Sequence, residues 1–425
     1  MTSSLRFLWP WRMLAMLFAG APQIYSSGSA LTMMSVMGEM IIFALSFNML
    51  LGQTGLLSFG HAIYFGLGGF VAIHAMNAII HAKLGVPVVI IPLVGGAAGL
   101  AFGLLFGLVS VRRPGLVFSM ISLGLGELVS SSSFILRSFF GGEEGITTNR
   151  TKLAPFFGHK FGSQIEVYYL VAVWCFFCIA AMYALTRTPF GRMCNAVREN
   201  GERVEYVGYS AQTIRFIAFS FSAFFAGIAG GLTAVNFEIM NAQQLGAQQS
   251  GVVLLMSYIG GIGYFAGPIL GAIVITFLQI TLSDVTNAWQ LYFGLLFIGF
   301  VLFAPGGLAG WLMLHRDAAL NRELWRLAPA YGMVAPALAA SFAGAVMLIE
   351  LAERQLALAR SEGSAMRLFG FEVDAASMGP WLIGLVLFCC GVGLTWLIWP
   401  KVTGAWGVVN VRLRARSQAW ASPSR

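Results

Sequence analysis

The sequence predicts an all-α polytopic membrane protein, and three observations carry that expectation. Asp, Glu, Lys and Arg make up only 10% of the 425 residues, against 58% hydrophobic side chains counted without glycine. Soluble domains carry about 25% charge, so this chain cannot cover itself for water. The mean hydropathy is +0.79, and its apolar residues gather into runs of membrane-spanning length. The net charge is +8 with a pI near 9.4, and the basic residues concentrate in alternate connecting segments, as the positive-inside rule requires. A water-soluble enzyme, a disordered chain and a nucleic-acid module are thereby excluded.

The first run, 7–25, shares with signal peptides the basic Arg6, an apolar stretch and the small residues Ala19-Gly20-Ala21. Trp9-Pro10-Trp11-Arg12 interrupts it, so residues 1–29 are read as an uncleaved anchor helix. Runs at 30–51, 56–80, 86–110, 117–138, 166–186 and 214–236 each approach the roughly 20 apolar residues of a span. Cys175 and Cys178 fall inside one of them with no second pair or His nearby, which reads as apolar packing rather than a metal site.

The next run, 250–282, is long and broken by GGIGYFAGP. A single span there would put Arg316, Arg322 and Arg326 on the outer side. Two short elements meeting near Gly260-Gly261 and Pro268 keep them inside, so a broken or re-entrant hairpin is expected, buried where protein satisfies its backbone. With 187–213 in the cytoplasm, 16 of the 25 Lys and Arg lie inside and 8 outside. Runs at 288–304, 329–350 and 380–400 complete about 10–12 hydrophobic helices. Residues 30–310 form the expected core. Residues 311–425 form an extension with two further hydrophobic helices and a basic tail, VRLRARSQAW.

Membrane helices associate by close backbone approach at small residues, because lipid is as apolar as leucine. Gly95, Gly99, Gly103 and Gly107 make one strict four-residue groove. Gly227 with Gly231, and Gly263 with Gly267 and Gly271, repeat the spacing. These are the expected packing surfaces of a compact bundle.

No P-loop, zinc-protease or nucleophile-elbow motif occurs in the chain. The weight therefore moves from enzyme to conduit. Polar residues at membrane depth are the next candidates, because burying them is expensive. Glu39 and Glu127 sit mid-span, and Asn48, Gln53, Ser58, His61 and Ser122 add hydrogen-bonding groups. These residues other than Glu39 are the candidate solute path. For Glu39 a helix-to-helix hydrogen bond and a pore role are equally open. An ion- or proton-coupled carrier using Glu39 and Glu127 as relays is the rival reading.

The most informative polar stretch is 187–213. Phe190, Met193, Val197, Val204 and Val207 recur at helical spacing, with a break at Asn200-Gly201 and a stop at Gly208. The intervening face carries Arg192, Asn195, Arg198, Glu199, Glu202, Arg203 and Glu205. A lipid-binding face would be purely basic, so mixed charge favours a protein dock.

Residues 48–70 (NMLLGQTGLLSFGHAIYFGLGGF) resemble the signature of branched-chain amino acid ABC importer permeases of the LivM type. Residues 115–127, 188–208, 251–271 and 303–308 resemble further motifs of that family in the same order, so the match spans about 30–310. The resemblance implies a type II-like importer permease bundle in a bacterial inner membrane, with the coupling loop and C-terminal tail cytoplasmic. It implies a second, LivH-like permease, two ATP-binding subunits and a periplasmic amino-acid-binding protein as partners. ATP and Mg would then be held on the partner subunits, with no cofactor and no metal on this chain. Gly191, Arg192, Arg198, Glu199, Asn200, Glu202, Glu205 and Gly208 match its ATPase-coupling loop. Branched-chain or other hydrophobic amino acids are the expected cargo, with other amino acids, urea and short amides compatible.

Overall fold

The computed structural model describes residues 2–358, 365–368 and 370–421, with side chains for 11–356, 368 and 370–412. The side chains of Arg6, Arg360, Arg367, Arg414, Arg416 and Arg425, counted above, lie outside the described residues, as does most of the basic tail. The described chain is dominated by α-helix. It divides into two compact units, Met1–Ile280 with Phe300–Ala309, and Thr281–Gly299 with Gly310–Arg425.

In the first unit, α1 (Thr2–Ile24) precedes α2 (Gly28–Thr54). Ser27 caps α2 by accepting from the Ala30 N–H, and Gly55 ends it at φ 73°, a left-handed position that suits glycine. Residues 38–50 of α2 are buried without interruption, the mark of a central helix. Next come α3 (Ala62–His81), α4 (Ile91–Ser110), α5 (Leu116–Ile135) and the single turn α6 (Arg137–Phe140). They are followed by α7 (Gln164–Arg187), the short α8 (Pro189–Glu199) and α9 (Gly201–Tyr206), and the buried α10 (Ala211–Phe237).

Glycine sets how close these helices come. A methyl at Gly95 would lie 3.0 Å from the Gly231 Cα, and one at Gly99 2.9 Å from the Gly227 Cα. On α3, a methyl at Gly68 would lie 2.6 Å from the Gly227 Cα, so α3, α4 and α10 meet at one point with almost no side chain between them. The four-residue groove on α4 thus faces α10. At Gly107 the neighbour is an aromatic ring, with the Phe219 Cδ1 2.9 Å away.

The broken run resolves into α11 (Ala247–Gly260) and α12 (Gly267–Ser283), separated by a turn with Gly261 at φ 111°. Gly271 packs against the Gly260 Cα and the Met256 carbonyl. Gly263 is different. It lies in the turn, and a methyl there would meet nothing within 4 Å, because it precedes the helix that carries Gly267 and Gly271. Gly307, at φ 63°, lies 2.6 Å from the Gly261 Cα on the same measure, so the glycines of the hairpin and of the FAPGGL segment pack together.

The far end of α10 is closed by a loop. Strand β1 (Ile146–Thr147) pairs antiparallel with β2 (Ile239–Met240). Arg150 is buried; its Nη1 donates to the carbonyls of Val235 (3.0 Å) and Asn236 (2.8 Å), and its Nε to Phe161 (2.8 Å). A guanidinium on the last carbonyls of a helix satisfies orphan acceptors and complements the helix dipole.

The second unit holds most of α13 (Trp289–Phe303) and α14 (Gly307–Leu320), which bend by 48° at their junction. It also holds the long α15 (Leu324–Leu358) and α16 (Met378–Ala421). These two are the further hydrophobic helices, joined through the hairpin β3 (Ala365–Leu368) and β4 (Phe371–Asp374). Glycine again sets their contact: Gly391 lies against Ser341 and Gly344 against Phe388. The Tyr331 hydroxyl receives the Trp406 indole N–H at 2.9 Å. Eight described helices have the length and hydropathy of a membrane span, with α12 shorter and α13 and α14 a bent pair.

Candidate functional site

Two regions hold the sequence candidates, the segment α8–α9 and the polar residues around the end of α2. The segment α8–α9 forms because its caps are local. Thr188 accepts from the Gly191 N–H, Pro189 occupies the first turn, and Asn200 accepts from the Arg203 N–H (3.0 Å) to start the second helix. Gly191 has no room for a side chain, since a methyl would lie 2.7 Å from the Thr186 Cα.

Cys194, Val197 and Val204 pack with Ala211, Ile214 and Ala218 at the start of α10. Burial pushes the Cys194 thiol up to about 12, so it stays protonated and inert. Arg192, Asn195, Arg198, Glu199, Asn200, Glu202, Arg203 and Glu205 are all exposed. The apolar face departs from its periodicity at one residue. Val207 is 73% exposed, because α9 ends at Tyr206 and Gly208 (φ 91°) turns the chain away. Tyr206 (88%) and Tyr209 are exposed beside it. Their exposure follows from where the helix stops, which the sequence pattern did not place.

Arg198 does not point only outward. Its Nη1 donates to the Gly52 carbonyl at the end of α2, and its Cγ would lie 3.1 Å from a methyl on Gly55. Beside this contact is a cavity of about 350 Å³ lined by Asn48, Gln53, Arg198, Glu199, Ile262 and Phe265 among others.

The turn from α2 to α3 is held by hydroxyls. The Leu57 carbonyl accepts from Ser119 (2.7 Å), the Phe59 N–H donates to Ser122 (3.1 Å) and the Ala62 N–H to Ser250 (3.0 Å). Ser122 therefore braces the turn. Ser58 is buried beside it with no partner for its Oγ among the described residues.

His61 is enclosed by the rings of Phe43, Phe47 and Tyr64. Its Nε2 lies 3.0 Å from the Ser46 Oγ, whose hydroxyl donates to the Phe43 carbonyl. Nε2 therefore carries the proton and donates to Ser46, which leaves Nδ1 a buried acceptor with no partner among the described residues.

The two mid-span carboxylates part company. Glu39 is fully buried and accepts from the Thr233 hydroxyl (2.7 Å) and the Asn236 amide (2.8 Å), joining α2 to α10. Asn236 in turn accepts from Gln164 (2.8 Å). Glu127 lies well round α5 from the buried Ser122, exposed with Ser131 one turn on. Of the sequence candidates, Asn48 and Gln53 share the cavity, His61, Ser58 and Ser122 stand at the turn, and Glu127 stands apart. Among the described residues no group of three or more His, Cys, Asp or Glu is placed to hold a metal ion.

A family model for the permease component of branched-chain amino acid transport systems matches residues 29–305. The chain belongs to that family. It is 28% identical over 290 residues to the high-affinity branched-chain amino acid permease LivM of Escherichia coli K12, covering 63% of this chain and 67% of the relative. Similarity to BraD of Pseudomonas aeruginosa is 24% over 286 residues, 63% of this chain and 91% of that protein. The xylose permease XylH of E. coli K12 is 29% identical over 119 residues, 26% of this chain and 30% of its own. No solved structure matches. As a permease of this family, the chain places α8–α9, the α2–α3 turn and the glycine hairpin inside the matched residues, whereas α15 and α16 lie beyond them.

Proposed function

We propose that the chain is the membrane-spanning pore subunit of an ATP-driven importer for branched-chain or other hydrophobic amino acids. It works with a second, related permease, two ATP-hydrolysing subunits that hold ATP and Mg, and a periplasmic amino-acid-binding protein, in a bacterial inner membrane. Segment 187–213 and the C-terminal tail face the cytoplasm in this reading.

The observation that carries it is the docking segment. A pair of short helices, anchored by Cys194, Val197 and Val204, presents mixed charge and exposed tyrosines outward while Arg198 reaches back to Gly52. Such a device receives movement from a partner and passes it to the bundle. The ligand then drives the cycle only through its unequal affinity for the two facing states. The family match over most of the core favours amino acids over sugars as cargo, since the xylose permease aligns with a far shorter stretch.

The test is uptake into proteoliposomes holding the whole complex. Leucine import is expected only when ATP and the binding protein are both present. Import that persists without either one sinks the proposal.

A further inference from the structure

The cavity beside the docking segment has the chemistry of a ligand site that the permease role alone does not call for. Its volume of about 350 Å³ falls in the range of small-molecule sites, roughly 300–1,000 Å³. One wall is charged and polar, with Arg198 and Glu199 adjacent on α8 and Asn48 and Gln53 at the end of α2. The other wall is apolar, with Ile262 and Phe265 from the turn between α11 and α12.

Asn48 is 4% exposed, and its Oδ1 has no hydrogen-bond partner among the described residues. A buried amide oxygen left unsatisfied is expensive unless something supplies a donor. Arg198 gives one N–H to the Gly52 carbonyl and keeps others of its five for a carboxylate. Thr186, Asn195 and the glycines Gly52 and Gly263 complete the lining, and beside Gly263 the space is open, with nothing within 4 Å of an added methyl.

We propose that this cavity is a subsite for a free aliphatic amino acid, reached from the docking-segment side of the permease. Arg198 takes the carboxylate, Glu199 the ammonium, and Ile262 with Phe265 the side chain. Both charges of the zwitterion are then met by neighbours on one helix, and the apolar tail by the hairpin. The inference rests on the amino-acid permease reading and adds to it: imported product, accumulating on that side, returns to the site. An occupied site ties α8 to the hairpin turn, and a tied α8 moves less freely with its ATPase. High product therefore slows the transporter.

Equilibrium binding to the purified complex, without the binding protein, tests this with radiolabelled leucine. Competitors are isovalerate and isoamylamine, each carrying the leucine side chain with one head group only. Leucine is expected to outcompete both by roughly tenfold or more, the scale of one charged hydrogen bond. Glu199→Gln, at an exposed position that leaves folding intact, is expected to weaken leucine about tenfold and leave isovalerate unchanged. Arg198→Gln is expected to weaken isovalerate and spare isoamylamine.

Absence of saturable leucine binding overturns the subsite, as does an equal loss for leucine and isovalerate in Glu199→Gln. A complex that imports leucine normally but fails these tests keeps the importer and loses the subsite. Failure of ATP-dependent import sinks the importer itself, whatever the binding shows.

Discussion

Arg198 on α8 donates from its guanidinium to the backbone carbonyl of Gly52 at the end of α2. The same side chain lies across Gly55, where α2 turns toward α3. The turn beyond it is fastened to α5 through Ser119 and Ser122. A continuous line of contacts therefore runs from α8 through the α2–α3 turn to α5, whose exposed side bears Glu127.

Arg198→Ala is accordingly expected to leave assembly with the ATPase subunits intact while import per ATP hydrolysed falls several-fold. A hydrogen bond from a charged donor contributes about 1.5–3 kcal/mol, enough for such a loss. Glu202→Arg, on the outward face alone, is expected to weaken assembly instead. Co-purification and the uptake-to-ATPase ratio separate the two; loss of assembly in Arg198→Ala would contradict the inward role.

Glu39 uses both carboxylate oxygens to hold Thr233 and Asn236. Glu39→Ala strands the buried Asn236 amide, at about 1–3 kcal/mol, while the Thr233 hydroxyl keeps the Ala229 carbonyl at 3.0 Å, and it lowers the thermal unfolding midpoint in detergent. Glu39→Gln is expected to retain most leucine uptake, because an amide still bridges the helices and no proton is relayed. Uptake abolished in Glu39→Gln and by a protonophore, with ATP present, would restore the carrier reading.

The glycines of α4 and α10 should tolerate nothing larger. Gly227→Ala places a methyl against the Gly95 carbonyl, and overpacking of this kind costs about 1–3 kcal/mol. Gly124→Ala is the matched control, since nothing lies within 4 Å of its added methyl. A fall in unfolding midpoint for the first and none for the second is the expected pair of results.

Glu127 is exposed midway along a helix of membrane-spanning length. A charge facing lipid there costs about 2.5–3.5 kcal/mol or more, so water or a partner must meet it. Glu127→Cys, with the exposed Cys389 and Cys390 replaced, is expected to react with a hydrophilic thiol reagent in the assembled complex. Leu128→Cys, one position round the helix, is expected to be slow. A Glu127→Cys thiol that reacts as slowly as Leu128→Cys would place both in lipid and overturn the expectation.

Much of this architecture is legible in the sequence, for physical reasons. The run of four glycines on α4 marks a helix face because 3.6-residue periodicity leaves few other readings, and the break at Gly260-Gly261 follows from parity of charge. Short caps such as Thr188 and Asn200 are likewise local. What pattern cannot supply is which face of a helix meets which neighbour. Ser122 and Glu127 read alike as mid-span polar groups, yet one braces a turn and the other is exposed. Arg150 lies in a loop with no periodicity, and the helix carbonyls its Nη1 reaches are more than 80 residues away in the chain. Val207 belongs to the right period and still faces outward, because Gly208 ends the helix one residue too soon.

The meeting of α3, α4 and α10 at Gly68, Gly95 and Gly227 has a mechanical corollary. Backbone set against backbone has no rotamers to rearrange, so the contact yields only by breaking. These three helices thus hold together as one block. The α2–α3 turn is held otherwise, by one hydrogen bond each from or to the hydroxyls of Ser119, Ser122 and Ser250, and a hydroxyl can change partner without any helix moving.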